Sequence, residues 1–232
     1  GIKPLYVARR DDALLFSSEV RSLVATGLVA RTLDPRAVAG YLAYGSVPEP
    51  LTIYKQVREF PPGCWQELRP ADADPVGTAS RGTTVGGAPL GGADLRDACR
   101  YWDVPVPRPE IEEQVAREQV KSLLELSIRD HLIGDVPIGV FLAAGFDSTI
   151  TAALAAKHTR ALRTFTVGFA DQPDLSEGTL AAETARLIGA EHADIQILGR
   201  DAEASMIPWL AALDQPSVDG FNTYIISQAV RA

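Results

Sequence analysis

The sequence predicts an α/β fold: a parallel sheet with helical crossovers, preceded by the end of a mixed domain that contains β-strands. Between residues 109 and 232, short apolar runs alternate with amphipathic segments, as strands and helices do in a parallel sheet. The first 70 residues instead contain two short apolar runs around a charged turn, followed by helical signals and several prolines. A glycine-rich stretch with glycines at positions 77, 82, 86, 87, 91 and 92 separates the two parts.

Composition excludes several classes of function. The chain has 232 residues, of which 46% are hydrophobic and 22% charged, so it resembles ordinary globular proteins. No apolar run approaches the roughly 18 residues of a membrane span, so we expect no membrane partner. The net charge of −8 disfavours binding to nucleic acid. The two cysteines form no C-x-x-C pair, which indicates a reducing, cytoplasmic compartment.

Residues 1–70 predict a hairpin, two helices and a final strand. Two strands are predicted on either side of a charged turn at residues 9–12, and a helix follows over residues 17–26. Asp34 and Pro35 predict the start of the second helix, because aspartate caps helices and proline suits their first position. The buried stripe of that helix is predicted to be Val38, Tyr41 and Leu42.

The chain opens with glycine and contains a single methionine, Met206, so we expect a piece of a longer chain. Residues 71–108 predict a flexible linker or insertion, because their glycine, serine and threonine content cannot bury a core. This stretch contains no G-x-x-x-x-G-K phosphate-binding pattern.

Residues 109–232 predict three parallel strands with helices between them. Apolar residues recur every three or four positions from Ile111 to Ile128, which is typical of an amphipathic helix. Ile138–Leu142 shows no alternation and predicts a strand buried on both faces. The predicted elements that follow are helix 148–157, strand 162–169, helix 177–188 and strand 193–198.

The loop that follows strand 138–142 carries the clearest functional signal. Ala143, Ala144 and Gly145 form a small-residue turn between a strand and a helix, where ligands of parallel sheets bind. Small residues let a phosphate approach the backbone, and Ser148 supplies a hydroxyl. Asp147 suits Mg²⁺ that bridges a carboxylate to a polyphosphate. From spacing alone, a turn capped by Asp147 with nothing bound is an equal alternative.

This loop resembles the Ser-Gly-Gly-x-Asp-Ser pyrophosphate loop of ATP-pyrophosphatase enzymes, in the form carried by glutamine-hydrolysing asparagine synthetases. The resemblance extends along nearly the whole chain in the order of that family. The segments that carry it are residues 1–6, 16–19, 61–63, 101–102, 142–148, 166–169, 213–220 and 222–224.

The resemblance implies both fold and function. Residues 109–232 would be the first part of a parallel-sheet ATP-pyrophosphatase domain, of the adenine nucleotide alpha hydrolase type. Residues 1–70 would be the tail of an α+β N-terminal-nucleophile glutaminase domain. The implied reaction is ATP-dependent asparagine synthesis from aspartate and glutamine-derived ammonia through aspartyl-AMP, with ATP and Mg²⁺ as cofactors. The implied partners are these small molecules, with no nucleic acid and no membrane, and a homodimer is compatible with the family.

The resemblance also assigns residues to the nucleotide site. Asp147 would bind Mg²⁺, Ser148 would contact phosphate, and no catalytic side chain is assigned. The implied nucleotide-binding residues are Phe141, Leu142, Ala143, Ala144, Gly145, Asp147, Ser148, Val167 and Gly168, of which Phe141, Leu142, Val167 and Gly168 would border the adenosine.

Some residues depart from the family pattern. Ala143 stands where the family loop has serine, and Ala144 where it has its first glycine. The alternatives are therefore a related amide-forming ligase, such as a β-lactam synthetase or a peptide-macrocycle cyclase, and a non-catalytic relative with a degenerate ATP site. Asp171, Asp174 and Glu177 follow the second strand, and for them we favour helix capping over a metal site.

Overall fold

The computed structural model divides the chain into two units. It describes residues 3–10, 13–67, 98–107, 110–159, 161–172 and 176–231. The first unit combines Gly1–Val106 with Ala212–Asp219, and the second combines Pro107–Ala211 with Gly220–Ala232. Residues 71–97, the greater part of the predicted linker, lie outside the described residues.

The described residues of the first unit form two antiparallel sheets. The predicted hairpin is present as β1 (Tyr6–Arg10) and β2 (Ala13–Ser17), and β3 (Arg58–Glu59) pairs with the other edge of β1. In the second sheet, β4 (Cys64–Trp65) pairs antiparallel with β5 (Cys99–Arg100). The core beside β1 consists of Tyr6, Ala8, Val20, Leu23, Val24, Val29 and Val57.

Two helices follow the hairpin, and the buried face of the second differs in part from the prediction, since Val38 and Tyr41 are only half-buried. These are α1 (Val20–Ala25) and α2 (Pro35–Tyr44). The predicted burial of Leu42 is wrong, because its side chain is 78% exposed. Gly40 is buried instead, and a Cβ atom at this position would lie 2.6 Å from Cγ of Pro48. The helix therefore turns its small residues inward, because the Pro48 ring leaves no room for larger ones.

A segment from the second half of the sequence completes the first unit. The carboxylate of Asp214 accepts hydrogen bonds from the N–H groups of Val20 (2.7 Å) and Arg21 (2.8 Å) and thereby caps α1. The side-chain oxygen of Gln215 accepts from the N–H of Ile53 at 2.9 Å. Residues 212–219 are thus held by backbone groups that lie far earlier in the sequence.

The second unit contains the predicted parallel sheet. Its strands are in the order β6-β7-β8, and both pairs are parallel, with Phe141 opposite Phe165 and Phe165 opposite Ala193. The elements are α3 (Glu113–His131), β6 (Gly139–Phe141), α4 (Phe146–His158), β7 (Arg163–Phe169), α5 (Gly178–Ile188), β8 (Glu191–Ile197), α6 (Gly199–Ala212) and α7 (Phe221–Arg231). No helix in the described ranges is long and apolar enough to cross a membrane.

The first strand of this sheet is less buried than predicted. The expectation of burial on both faces is wrong, because β6 lies at the edge of the sheet among the described strands and Phe141 is 44% exposed. The fully buried residue is Leu142, immediately after β6, which packs with Ala152, Ala181 and Ala185. Burial is thus concentrated where the strand ends and the loop begins.

A buried ion pair stabilises the first unit. The Asp34 carboxylate accepts from the guanidinium groups of Arg36 (2.9 Å) and Arg58 (3.2 Å) and from the N–H of Arg36 (3.0 Å). The side-chain hydrogen bond from Arg36, with further help from Arg58, lowers the pKa of Asp34 to about 2. Because this pKa is below the ordinary 3.8, the stabilisation is complete above about pH 4 and is lost as the pH falls towards 2.

We expect Asp34→Asn to lower the free energy of unfolding by about 3 kcal/mol at pH 7, because the amide would not balance the buried guanidinium of Arg58. The difference from the parent should shrink between pH 4 and pH 2. Urea unfolding at a series of pH values measures both effects. Asp103→Asn is the matched control, since Asp103 forms an exposed pair with Arg100 and should change stability by less than about 0.5 kcal/mol. Equal losses in the two variants would contradict this account.

Candidate functional site

A cavity of about 470 Å³ lies at the carboxyl ends of β6 and β7. Four of the predicted site residues line it: Phe141, Leu142, Ala143 and Val167. The other walls come from Phe165, Thr166 and Phe169 of β7, from Glu177, and from Phe221, Asn222, Thr223, Ile225 and Ile226 of α7. The walls are therefore mainly apolar, with a carboxylate and a few uncharged polar groups among them.

Leu142 fixes the point at which the chain leaves the sheet. Its side chain is 2% exposed, and its N–H donates to the carbonyl oxygen of Phe165 at 2.9 Å. Its own carbonyl oxygen accepts a hydrogen bond from the Thr166 hydroxyl. The loop therefore starts from a residue that is held by both the core and β7.

Ser148 is directed into the loop itself. Its hydroxyl oxygen accepts from the N–H of Ala143 at 3.2 Å. The same oxygen lies 3.1 Å from the carbonyl oxygens of Ala143 and Gly145, to either of which the hydroxyl can donate. The arrangement makes Ser148 a brace for the turn between β6 and α4.

Asp147 lies in the first turn of α4 and is exposed. The alternative in which Asp147 caps this helix is wrong, because the N-cap residue is Gly145 and no side chain caps the helix there. Its carboxylate is in a position that the helix dipole favours for a negative charge. Within the described part of the chain, no group of three or more His, Cys, Asp or Glu is assembled to hold a metal ion.

The acidic residues after β7 have separate roles. Asp171 accepts from the N–H of Gly199 at 3.0 Å, at the start of α6, in agreement with the predicted helix capping. Glu177 does not cap α5 through its side chain, and its carboxylate instead accepts from the N–H of Ala144 at 2.9 Å. Asp174 lies outside the described residues.

The residues that line the cavity differ from the predicted set at Gly168 and at the start of α7. Gly168 is buried but does not line the cavity, and a Cβ atom there would lie 2.5 Å from the hydroxyl oxygen of Ser176. The start of α7 was not predicted to contribute, although Phe221 lines the cavity and packs edge-on against Trp209 with ring centroids 5.3 Å apart. The signal for it was the position of Asn222 and Thr223 inside the last segment that carries the resemblance.

Both parts of the chain match known protein families. The family model described as Asparagine synthase matches residues 119–232, and the model described as Glutamine amidotransferase domain matches residues 1–76. A putative glutamine-hydrolysing asparagine synthetase of Mycobacterium tuberculosis is 31% identical over 223 residues, which cover 94% of this chain. The chain belongs to the glutamine-hydrolysing asparagine synthetase family. The predicted family is thereby confirmed.

Other relatives of this synthetase-family chain carry different names and are identical to it to different extents. Asparagine synthetase 1 of Bacillus subtilis is 31% identical over 195 residues, covering 83% of this chain and 27% of that protein. A protein named Amidase chyE from Penicillium rubens is 25% identical over 260 residues, covering all of this chain and 34% of that protein. The Mycobacterium relative is covered to 31% of its length, so the chain spans about a third of the curated relatives it matches.

We expect Ser148→Ala to loosen the loop, because the N–H of Ala143 would lose its acceptor. Amide hydrogen exchange should accelerate at Ala143, and stability should fall by about 1 kcal/mol. Hydrogen exchange and urea unfolding measure the two effects. Thr151→Ala is the control on the same helix, because the Thr151 hydroxyl only donates to the Asp147 carbonyl oxygen within α4. Equal exchange rates at Ala143 in parent and Ser148→Ala would rule out the brace.

Proposed function

We propose that the cavity binds ATP, that the loop after β6 holds its phosphates, and that the protein uses ATP to form an amide from aspartate and ammonia. The observation that carries this proposal is the position of the cavity. Phe141, Leu142 and Ala143 lie in its wall at the carboxyl end of β6, immediately before a helix start. Membership of a family that uses ATP supports the same assignment.

The walls suit an adenine nucleotide. Phe141, Leu142 and Val167 offer apolar surface for the adenosine. A Cβ atom placed on Gly145 would meet nothing within 4 Å, so there is open space in front of the turn. The 13-residue helix α4 begins directly after it, and free N–H groups at a helix start attract phosphate. We therefore assign the phosphates to the side of the loop between Ala143 and Ser148.

The residues present also fit Mg²⁺. This ion binds through one or two carboxylates, substrate phosphates and several waters, and does not require a cage of protein ligands. The exposed carboxylate of Asp147, beside the turn, has the oxygen ligands that Mg²⁺ prefers. When bound, the ion would neutralise charge on the pyrophosphate.

The proposed chemistry has two stages. A carboxylate is a poor electrophile, so its attack on the α-phosphate of ATP first converts it into aspartyl-AMP and releases pyrophosphate. Ammonia then attacks the acyl carbon, and AMP leaves. The contribution of the loop is to hold the phosphates in line and to stabilise the departing charge with backbone N–H groups. The amidotransferase-type first part of the chain fits a source of ammonia from glutamine.

Asp147→Asn in the natural full-length protein should weaken Mg-ATP binding by about tenfold, equivalent to about 1.4 kcal/mol, and metal-free ATP binding much less. The reason is that only the metal complex uses the carboxylate. Calorimetric titration with Mg²⁺ and with EDTA makes the comparison. Asp130→Asn, which removes an equal charge from the exposed Arg129–Asp130 pair on α3, should leave both affinities unchanged. Equal losses with and without metal would remove the metal role from Asp147.

Ala143→Ser should raise ATP affinity or the rate of pyrophosphate release by up to about 10–100-fold, because a hydroxyl at the cavity wall adds a hydrogen bond to phosphate worth about 1–3 kcal/mol. Pyrophosphate release assays and ATP titration of the purified variant measure the gain. Ala182→Ser, on the exposed side of α5, is the matched control. A variant indistinguishable from the parent would show that position 143 does not contact phosphate.

A second candidate is amide formation on a different carboxylate, as in a β-lactam synthetase or a peptide-macrocycle cyclase. The observation that favours it is Ala143 at a position where the synthetase loop has serine, together with a relative that is named an amidase. A non-catalytic relative is the remaining alternative. Pyrophosphate release measured across a panel of carboxylates separates the three: release with aspartate, release with another acid only, or none.

A further inference from the structure

A carboxylate side chain of the protein itself is hydrogen-bonded to the loop beside the cavity. The N–H of Ala144 donates to the carboxylate of Glu177 at 2.9 Å, across 33 positions of sequence. Ala144 is exposed in the turn between β6 and α4, and Glu177 lies in the cavity wall immediately before α5. A carboxylate oxygen thus occupies a donor of the turn to which we assign the phosphates.

Helix capping does not explain this contact. Glu177 is the N-cap residue of α5, but its side chain makes no capping hydrogen bond. The N–H of Gly178, in the first turn of α5, donates to the Ser176 hydroxyl at 3.3 Å instead. The neighbouring loop amide, that of Ala143, is taken by the Ser148 hydroxyl. The Glu177 carboxylate therefore serves the loop and not its own helix.

We propose that Glu177 is a positioning and specificity residue that holds the N–H of Ala144 until a phosphate oxygen replaces the carboxylate. The proposal rests on the proposed function of the loop. One N–H group makes one strong hydrogen bond, so carboxylate and phosphate compete for it. A phosphate that arrives without a cation also meets the negative charge of Glu177 at close range, and a few ångströms between like charges is costly.

The consequence is a preference for metal-complexed nucleotide over bare polyphosphate. Asp147 adds a second negative charge at the start of α4, and this charge would also repel a phosphate that carries no cation. A cation carried by the phosphates offsets the repulsion from both carboxylates. Glu177 would therefore prevent free polyphosphate anions from filling the loop and admit the metal complex.

The test uses the natural full-length protein and the variant Glu177→Gln, which keeps an acceptor for the N–H of Ala144 and removes the charge. Inorganic pyrophosphate is titrated calorimetrically in EDTA, and Mg-ATP is titrated separately. We expect the variant to bind metal-free pyrophosphate about 5–50-fold more tightly than the parent, and Mg-ATP within about threefold of it. Glu183→Gln removes an equal charge from an exposed position on α5 and should change neither affinity.

A gain in affinity distinguishes this role from a merely structural one, because damage to the loop would only weaken binding. Unchanged or weaker pyrophosphate binding in Glu177→Gln, with Mg-ATP still bound, would overturn the inference and leave the proposed function intact. Loss of Mg-ATP binding alone would instead identify Glu177 as a metal ligand and also overturn it. A folded parent protein that binds neither ligand would refute the proposed function, and the inference with it.

Discussion

The position of the candidate site depends on how the chain leaves β6, and one residue controls that point. Leu142 is buried among Ala152, Ala181 and Ala185, and its backbone is hydrogen-bonded to Phe165 and Thr166 on the neighbouring strand. A residue that is held on both sides cannot shift without disrupting the core. The small residues that follow are therefore presented at a fixed place beside the cavity, although they contribute little packing themselves.

The loop is organised by acceptors from the protein itself. Ser148 and Glu177 each accept from a loop N–H, so two hydrogen bonds from the protein fix the shape of the turn. These two acceptors differ in kind, because the hydroxyl is neutral and belongs to the helix that follows, whereas the carboxylate is charged and comes from a distant segment. A neutral brace can remain when an anion binds, but a charged one competes with it. This difference gives the loop both order and a means of discrimination.

Local patterns predicted the order of elements and the loop, but not the contacts made by distant residues. The alternation of apolar runs located the three parallel strands that the structure describes, because each strand is short and flanked by polar turns. The exposure of Leu42 was missed because it depends on Pro48 packing against Gly40, which no helical period reveals. Helix α6 was missed because Pro208 lies inside it and interrupts the usual signals. The contact between Glu177 and Ala144 arises from the parallel crossover, which brings distant residues together. The position of Glu177 in the sequence therefore predicted the end of the sheet at which it lies, but not its hydrogen bond to Ala144.

We propose that this site uses ATP to activate a carboxylate as an acyl-adenylate. The most direct test is to supply the natural full-length protein with ATP, ammonia and aspartate labelled with ¹⁸O in its side-chain carboxylate, and to analyse the nucleotide product by mass spectrometry. Attack of the carboxylate on the α-phosphate predicts that the AMP released carries one ¹⁸O atom and that pyrophosphate forms in equal amount. Formation of ADP with labelled inorganic phosphate, or of AMP without the label, would contradict the account.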